Sequence, residues 1–286
     1  MTTTIRNPIE WGADQLRLAG VAIGSAGRAV AEVERVERPV PAARIGMSDI
    51  GASLRAGWSD FIACRTDVIY LCLLYPVVGL VLAYIAVGHG LLVLLFPLAS
   101  GFALVGPIAA LGLYEMSRNH EHRGTIAWRD AFSVLSAPSF GRITILALAM
   151  IGELLVWLWV AFALYVVTLG PQPPVSMRAF IHAVWATPAG NAMAVIGIIL
   201  GFGFAVLALF LFLAFPLLLD RDIGLGNAIR SSVEAVWANK ATMAVWGLIV
   251  AVALVLGSIP AFVGLVVVLP VLGHATWHLY RRVLPG

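Results

Sequence analysis

Two histidines near the end of the chain have the spacing of a metal-binding pair. His274 and His278 are four residues apart in a segment of helical pattern, so both imidazoles lie on one helix face, where they can bind a single ion. No clear third ligand precedes them, although Glu115 or Asp220 could serve, and no metal or haem cofactor is predicted. The alternative is that they contact carbonyls and headgroups at a helix end. Two further histidines, His120 and His122, lie in a charged segment and are expected to be solvated.

Two carboxylates lie at positions equivalent to those of the two histidines if the chain contains repeats. Counted from the proline of its own segment, Asp220 lies at +4, as His274 does, and Glu115 lies at +8, as His278 does. Positions +4 and +8 share a helix face, so we expect these four residues to converge in a polar layer around a common axis. A Glu115–His278 pair would then fix the tautomer of the histidine in a pH-sensitive cluster. The reference prolines are Pro107, Pro216 and Pro270.

One acid lies inside an apolar segment. Glu153 is about eleven residues from the start of its segment, which places it roughly 16 Å along a helix and close to the midplane of a bilayer. Ionisable groups at this depth are costly and are functional candidates. Two interpretations stay open: a protonatable group in a proton or cation path, or a carboxyl that pins helix packing.

The composition requires lipid as the solvent for much of the chain. The sequence is 61% hydrophobic and 12% charged, whereas soluble domains carry about 25% charged residues. Six apolar segments approach or exceed the roughly 20 residues that cross a hydrocarbon core of about 30 Å. These predicted spans lie near 68–87, 91–117, 142–168, 189–219, 242–258 and 262–280.

The basic residues predict the orientation. All 18 Lys and Arg residues except Arg178 fall in segments that the six spans assign to one side of the membrane. By the positive-inside bias, the N- and C-termini are cytoplasmic. Basic residues at the ends of apolar segments are typical of a membrane protein, so nucleic acid is not a predicted partner.

Amphipathic segments precede each pair of spans. Residues 47–63, 125–137 and 224–238 carry apolar residues at helical spacing, which predicts helices lying in the membrane interface. The unit occurs three times with the same orientation, and parallel repeats imply an axis along the membrane normal. The predicted fold is all-α: a polytopic membrane protein with six transmembrane helices in three tandem repeats of interfacial helix and helical hairpin. The predicted domains are a cytoplasmic arm with a short helix and a Pro-containing linker over 1–46, and a membrane domain over 47–286 with repeats near 47–118, 125–220 and 222–282.

Three sequence runs resemble a known family: YPVVGL at 75–80, FPLLLDRDIGL at 215–225 and VLPVLGHATWHLYRR at 268–282. They are similar to the domain of unknown function 2189 group of bacterial integral membrane proteins. The resemblance covers about residues 44–282 and implies an inner-membrane protein without an established activity. Some relatives are labelled as a cytochrome c oxidase subunit I, which needs metal-binding histidines on several helices. This chain has six histidines in all, most of them outside the spans, so its residues do not support that label.

Three functional hypotheses remain. The leading one is a structural or accessory membrane component, not an enzyme, that binds lipid or a partner through its interfacial helices. The second is a small transporter or permease with Glu153 and the polar layer lining a path. The third is a redox accessory protein that binds haem or copper at His274 and His278. The predicted partners are the phospholipid bilayer and, as an option left open, another inner-membrane protein or complex.

Overall fold

The computed structural model of the chain is helical wherever it describes regular structure. The described residues are 39–72, 77, 79–81, 84, 88, 91–125, 127–260 and 262–285. The helices in chain order are α1 (Met47–Cys72), the 3-10 helix η1 (Leu92–Leu94), α2 (Leu95–Leu104), α3 (Gly106–Ala109), α4 (Leu111–Arg123), the 3-10 helix η2 (Trp128–Ser136), α5 (Phe140–Leu169), α6 (Met177–Ala186), α7 (Pro188–Leu211), α8 (Ala214–Asp220), α9 (Leu225–Ala238), α10 (Lys240–Ser258) and α11 (Leu265–Val283).

Three described segments are long and apolar enough to cross a membrane. They are α5, the segment Pro188–Asp220 that contains α7 and α8, and α10. Within the most apolar part of each, only 22–28% of the residues are buried inside the protein. Most of their side chains therefore face outward, as they do in a helix solvated by lipid. The predicted spans near 142–168, 189–219 and 242–258 are confirmed as helices that meet this requirement.

The other three predicted spans have different outcomes. Half of 68–87 lies outside the described residues, and 68–72 form the end of α1. The segment 91–117 is divided among η1, α2, α3 and α4, with an interruption at Val105 shortly before Pro107. A proline has no N–H group, so it starts a helix more readily than it continues one. The segment 262–280 falls largely in α11, whose second half carries histidines and arginines and is mostly buried.

The first predicted interfacial segment, 47–63, is the first half of the longer helix α1. This half packs along α11 in the most extensive helix–helix contact of the described part. Gly57 makes the close approach possible, because a side chain at this position would collide with the backbone of Ala275. Ile50, Ser53 and Asp60 are buried. The predicted helix is therefore present and packs on α11, and its position in the membrane interface stays a prediction.

The second amphipathic segment forms the 3-10 helix η2 and packs on α4. A Cβ atom added at Gly112 of α4 would lie 2.9 Å from the Cβ atom of Ala131. Phe132 and Leu135 of the predicted apolar face are 51% and 61% exposed, whereas Val134 is buried. A 3-10 helix has about three residues per turn, so a face chosen for a period of 3.6 does not remain aligned.

The third amphipathic segment forms α9 and packs on the preceding apolar helix. The Ser232 hydroxyl donates to the carbonyl of Phe210 at 2.7 Å, and the ring of Phe210 stacks on Trp237. The second and third amphipathic segments thus contact the helices that end the preceding pair of predicted spans: η2 contacts α4, and α9 contacts α7 and α8. The first segment, in α1, contacts α11 of the last pair.

Residues 39–46 form no regular structure before α1, and hydrogen bonds attach them to other parts of the chain. The Ala43 N–H donates to the Val283 carbonyl at 2.7 Å, and the Ile45 N–H donates to Oδ1 of Asn239 at 2.8 Å. These residues are the end of the predicted arm over 1–46, and their hydrogen bonds hold them against the helices. The remainder of the arm, 1–38, lies outside the described residues.

The buried core lies where α4, α8 and α11 converge. These three helices contact one another, and Tyr114, Phe215, Trp277 and Tyr280 are almost completely buried there. Basic side chains surround this core, so we refer to the region as the arginine-rich end of the protein. Its arginines include Arg118, Arg142, Arg221, Arg281 and Arg282.

Candidate functional site at the arginine-rich end

Asp60 is the centre of a buried hydrogen-bonded group that joins α1, α4 and α11. Its Oδ2 lies 2.7 Å from Oγ of Ser117 and 2.9 Å from Nε2 of His278. Its Oδ1 lies 2.9 Å from Nδ1 of His120. His274 joins through Ser117, whose Oγ is 2.7 Å from Nδ1 of His274. These five residues are called the Asp60 cluster.

The number of available protons fixes the direction of these hydrogen bonds. Ser117 has one hydroxyl proton, and an ionised Asp60 is only an acceptor. Ser117 therefore donates to Asp60 and accepts from Nδ1–H of His274. His120 and His278 donate to Asp60 through the nitrogens that face it. The network thus places a proton on Nδ1 of His274, on Nδ1 of His120 and on Nε2 of His278.

The hydrogen bonds of the cluster keep Asp60 ionised. Asp60 lies outside every predicted span. Burial raises the pKa of this carboxyl, but hydrogen bonds from His278, Ser117 and His120, together with the charge of His278, outweigh burial. The pKa falls from 3.8 to about 2. Because the charged form is the one that these donors favour, Asp60 is a permanent anion near neutral pH.

Glu115 belongs to a second group of polar side chains, which links α4 to η2 and α8. Its carboxylate accepts from Nη1 of Arg118 at 3.0 Å and from the hydroxyl of Ser133 at 2.8 Å. The same Nη1 of Arg118 donates to the carbonyl of Leu219 at 2.7 Å. One guanidinium group thus joins the end of α4 to the end of α8, next to Asp220.

Asp220 continues these links from α8 to α11. Its Oδ2 accepts from the hydroxyl of Tyr280 at 2.7 Å and from Nη1 of Arg281 at 3.2 Å. Nη2 of Arg281 also donates to Glu121 of α4 at 3.0 Å. The second group therefore ties the three converging helices together, and it is called the arginine network. Its members are Glu115, Arg118, Glu121, Ser133, Asp220, Tyr280 and Arg281.

The four residues of the predicted polar layer are all found on the converging helices, but in two groups. His274 and His278 belong to the Asp60 cluster, and Glu115 and Asp220 belong to the arginine network. The expected Glu115–His278 pair is wrong, because His278 faces Asp60 and Glu115 faces Arg118. The count from the prolines left out α1 and η2, and these two elements supply the competing partners.

The histidine pair lies in a hydrogen-bonded rather than an open arrangement. The nitrogens of His274 and His278 that face the cluster are bonded to Ser117 and Asp60. Among the described residues, no group of three or more His, Cys, Asp and Glu side chains is placed to hold a metal ion. The geometry therefore adds no third ligand to the pair that the sequence singled out.

Sequence reasoning missed the central residue of the site. Asp60 lies with Ser53 and Gly57 at i, i+4 and i+7 on α1, so these small and polar residues share one face. That face was the available signal, because a glycine beside small residues permits a close helix contact. His120 was expected to be solvated, but it bonds to Asp60. His122 is exposed, as expected.

Glu153 lies apart from both polar groups, within α5. Its side chain is only 8% exposed, and both carboxyl oxygens are buried without a hydrogen-bond partner among the described residues. It belongs neither to the Asp60 cluster nor to the arginine network. The transport hypothesis placed Glu153 and the polar layer on one path, and the described contacts do not connect them.

A cleft of about 370 Å³ opens beside the arginine network. It lies between the end of α4, η2, the start of α5 and the end of α8. Its polar lining includes Glu115, Arg118, Ser133, Ser136, Ser139, Arg142, Asp220, Arg221 and Asp222.

Comparison of the sequence with models of known families gives a match in the middle of the chain. Residues 95–220 match the family "Predicted integral membrane protein (DUF2189)". The DUF2189 match runs from α2 to α8, so it includes Glu115, Glu153 and Asp220 but not Asp60 or the histidine pair. It confirms the resemblance over this part of the chain, and its description names membrane integration without an activity. No curated protein and no solved structure matches the chain.

Proposed function

We propose that this protein is a structural or accessory component of the bacterial inner membrane, not an enzyme, and that it binds lipid or a membrane partner at its arginine-rich end. The main support is that the buried charged groups bond to one another and so link helices. The Asp60 cluster joins α1, α4 and α11, and the arginine network joins α4, α8, α11 and η2. Charged groups that bond to one another across helices fasten a scaffold.

The proposal includes six transmembrane helices in three tandem repeats, with both termini in the cytoplasm. The contacts of the amphipathic segments support the repeats, since η2 and α9 pack on the helices that end the preceding unit and α1 closes the series on α11. Such a closed series is what an axis along the membrane normal produces. All Lys and Arg residues except Arg178 then lie on the cytoplasmic side.

Exposed apolar side chains at the same end support a binding role. Phe132 and Leu135 project from η2, and Trp237 projects from α9. Large aromatic and aliphatic side chains next to basic residues are suited to the headgroup region of a bilayer or to a partner that lies there.

The proposal is tested by isolating the full chain from its native membrane in a mild detergent. We expect a particle heavier than the monomer, with a defined protein partner or retained phospholipid, in native mass spectrometry. Phe132→Ala and Trp237→Ala should reduce the co-purifying species several-fold. Trp185→Ala is the matched control, because Trp185 is an exposed tryptophan, as Trp237 is, but lies on α6. Repeated isolation of a lone, lipid-free monomer would contradict the proposal.

A further inference from the structure

The cleft beside the arginine network is built from groups that bind phosphate. Its volume of about 370 Å³ lies in the range of small-molecule sites. Arg118, Arg142 and Arg221 line it, together with the hydroxyl-bearing residues Ser133 and Ser136. The planar guanidinium fork matches the geometry of phosphate oxygens, so three arginines on one cleft indicate an anionic ligand.

Arg142 has the partner that is most easily exchanged. Its side chain is 11% exposed and bonds to Asp222, whose side chain is 81% exposed. Asp222 makes no other side-chain hydrogen bond with the described residues. A carboxylate this exposed regains its hydration when it leaves, whereas a buried guanidinium needs a replacement anion. A ligand phosphate can therefore take the place of Asp222 at little cost.

The other two arginines are held in place without using all their donors. Arg118 bonds through Nη1 to Glu115 and to the Leu219 carbonyl. Arg221 bonds through Nη2 to the Leu284 carbonyl at 2.7 Å. Each guanidinium group has five N–H donors, so both retain donors for a ligand while their positions are fixed.

The charge of the cleft indicates how much negative charge a ligand brings. The three lining arginines are balanced by Glu115, Asp220 and Asp222. When Asp222 moves into solvent, one positive charge remains unbalanced. The single charge of a phosphodiester neutralises it, whereas a phosphate monoester carries about 1.5 to 2 negative charges near neutral pH.

The surroundings of the cleft place it at a boundary between apolar and polar surfaces. Ser133 and Ser136 of the cleft alternate along η2 with the exposed residues Phe132 and Leu135. Arg142 lies in the first turn of α5, where a candidate span begins. A phospholipid has the same arrangement, since its phosphate lies just above its acyl chains.

We infer that this cleft binds the phosphodiester group of a phospholipid in the cytoplasmic leaflet. Arg142 exchanges Asp222 for the lipid phosphate, and Arg118 and Arg221 complete the site. The inference rests on the proposed function, because it makes the lipid binding specific to one site.

The test counts phosphatidylglycerol molecules retained by the full chain in native mass spectrometry, after release from nanodiscs of phosphatidylglycerol and phosphatidylethanolamine. Arg142→Gln should weaken the tightest lipid-binding step about fivefold, as expected for one basic residue near an anionic surface. Asp222→Asn should strengthen this step, because it removes the charge that competes for Arg142. Arg230→Gln is the matched control, since Arg230 is exposed and pairs with Glu234 away from the cleft.

Three results would overturn the inference. The first is equal lipid retention in Arg142→Gln and Arg230→Gln. The second is unchanged or weaker binding in Asp222→Asn, a variant that leaves the buried guanidinium in place. The third is displacement of the lipid by millimolar inorganic phosphate, which would identify free phosphate as the ligand. If one of these results is found while the protein still co-purifies with lipid or a partner, only the lipid site in the cleft is refuted. Isolation of a lone, lipid-free monomer would refute the proposed function as well.

Discussion

Asp60 and Glu153 are both buried carboxyl groups, but they differ in their hydrogen bonding. Asp60 faces donors from three other residues, which hold it as an anion and bring three helices together. Glu153 has no hydrogen-bond partner for either oxygen within the described residues. An unpaired buried polar group is destabilising, so Glu153 adds no link between helices of the kind that Asp60 makes.

Replacing Asp60 should give a stability loss that depends on pH. The pKa of Asp60 is lowered from 3.8 to about 2, so the native state binds this proton less readily than the unfolded state. The carboxylate therefore stabilises the fold above about pH 4, and this contribution disappears as the pH falls through about 2. We expect Asp60→Asn to lower the free energy of unfolding by about 2 kcal/mol near pH 5. The difference in the free energy of unfolding between Asp60→Asn and the unmodified protein should become smaller at lower pH.

The measurement is thermal unfolding in detergent between about pH 5 and pH 2. Glu234→Gln is the control, because Glu234 forms an exposed pair with Arg230 and should give only a small difference. A difference for Asp60→Asn that stays constant down to about pH 2 would contradict the assigned role of the carboxylate.

The contact between α1 and α11 determines the architecture at the level of elements. The amphipathic pattern of 47–63 predicted a helix correctly, but it did not identify the surface that the helix covers. Gly57 decides this, because a missing side chain lets α1 approach the backbone of Ala275 and brings Asp60 to His278. A period in the sequence shows which face is apolar, whereas only packing shows what lies against it.

Gly57→Ala should therefore destabilise the protein although alanine favours helices. The new Cβ atom would collide with the backbone of Ala275, which cannot move as a side-chain end can. We expect a loss of about 1–3 kcal/mol in the free energy of unfolding. Gly51→Ala in the same helix is the control, because its Cβ atom meets only the Arg55 side chain at 3.5 Å. That variant should gain up to about 1 kcal/mol from helix propensity. Equal stabilities of the two variants in a detergent melt would refute the close contact.

At the scale of the whole molecule, charge separates the two ends. Polar networks and arginines gather where α4, α8 and α11 converge, and the apolar windows of α5, α7 and α10 are mostly unburied. The three candidate spans found among the described residues are an odd number. If only these three crossed, the segments before the first and after the last of them would lie on opposite sides of the membrane. The six-span proposal requires both ends on one side.

Accessibility labelling distinguishes these topologies. In a chain with Cys64 and Cys72 replaced by serine, single cysteines are introduced as Thr4→Cys, Pro173→Cys and Gly286→Cys. An impermeant maleimide applied to intact spheroplasts should label only Pro173→Cys, and the other two should react after permeabilisation. Labelling of one terminus but not the other in intact cells would exclude an even number of spans.

Composition and periodicity by themselves determined that the chain is helical and integrates into a membrane, since burying apolar segments in lipid is a property of each segment alone. They also placed Glu115, Asp220, His274 and His278 on helices that converge. Tertiary structure decided which side chains pair. The partners of Asp60 lie 57, 60 and 218 residues away in the sequence, and a hydrogen bond depends on distances that no local pattern encodes. The close helix contact at Gly57 fixed these distances, and with them the site.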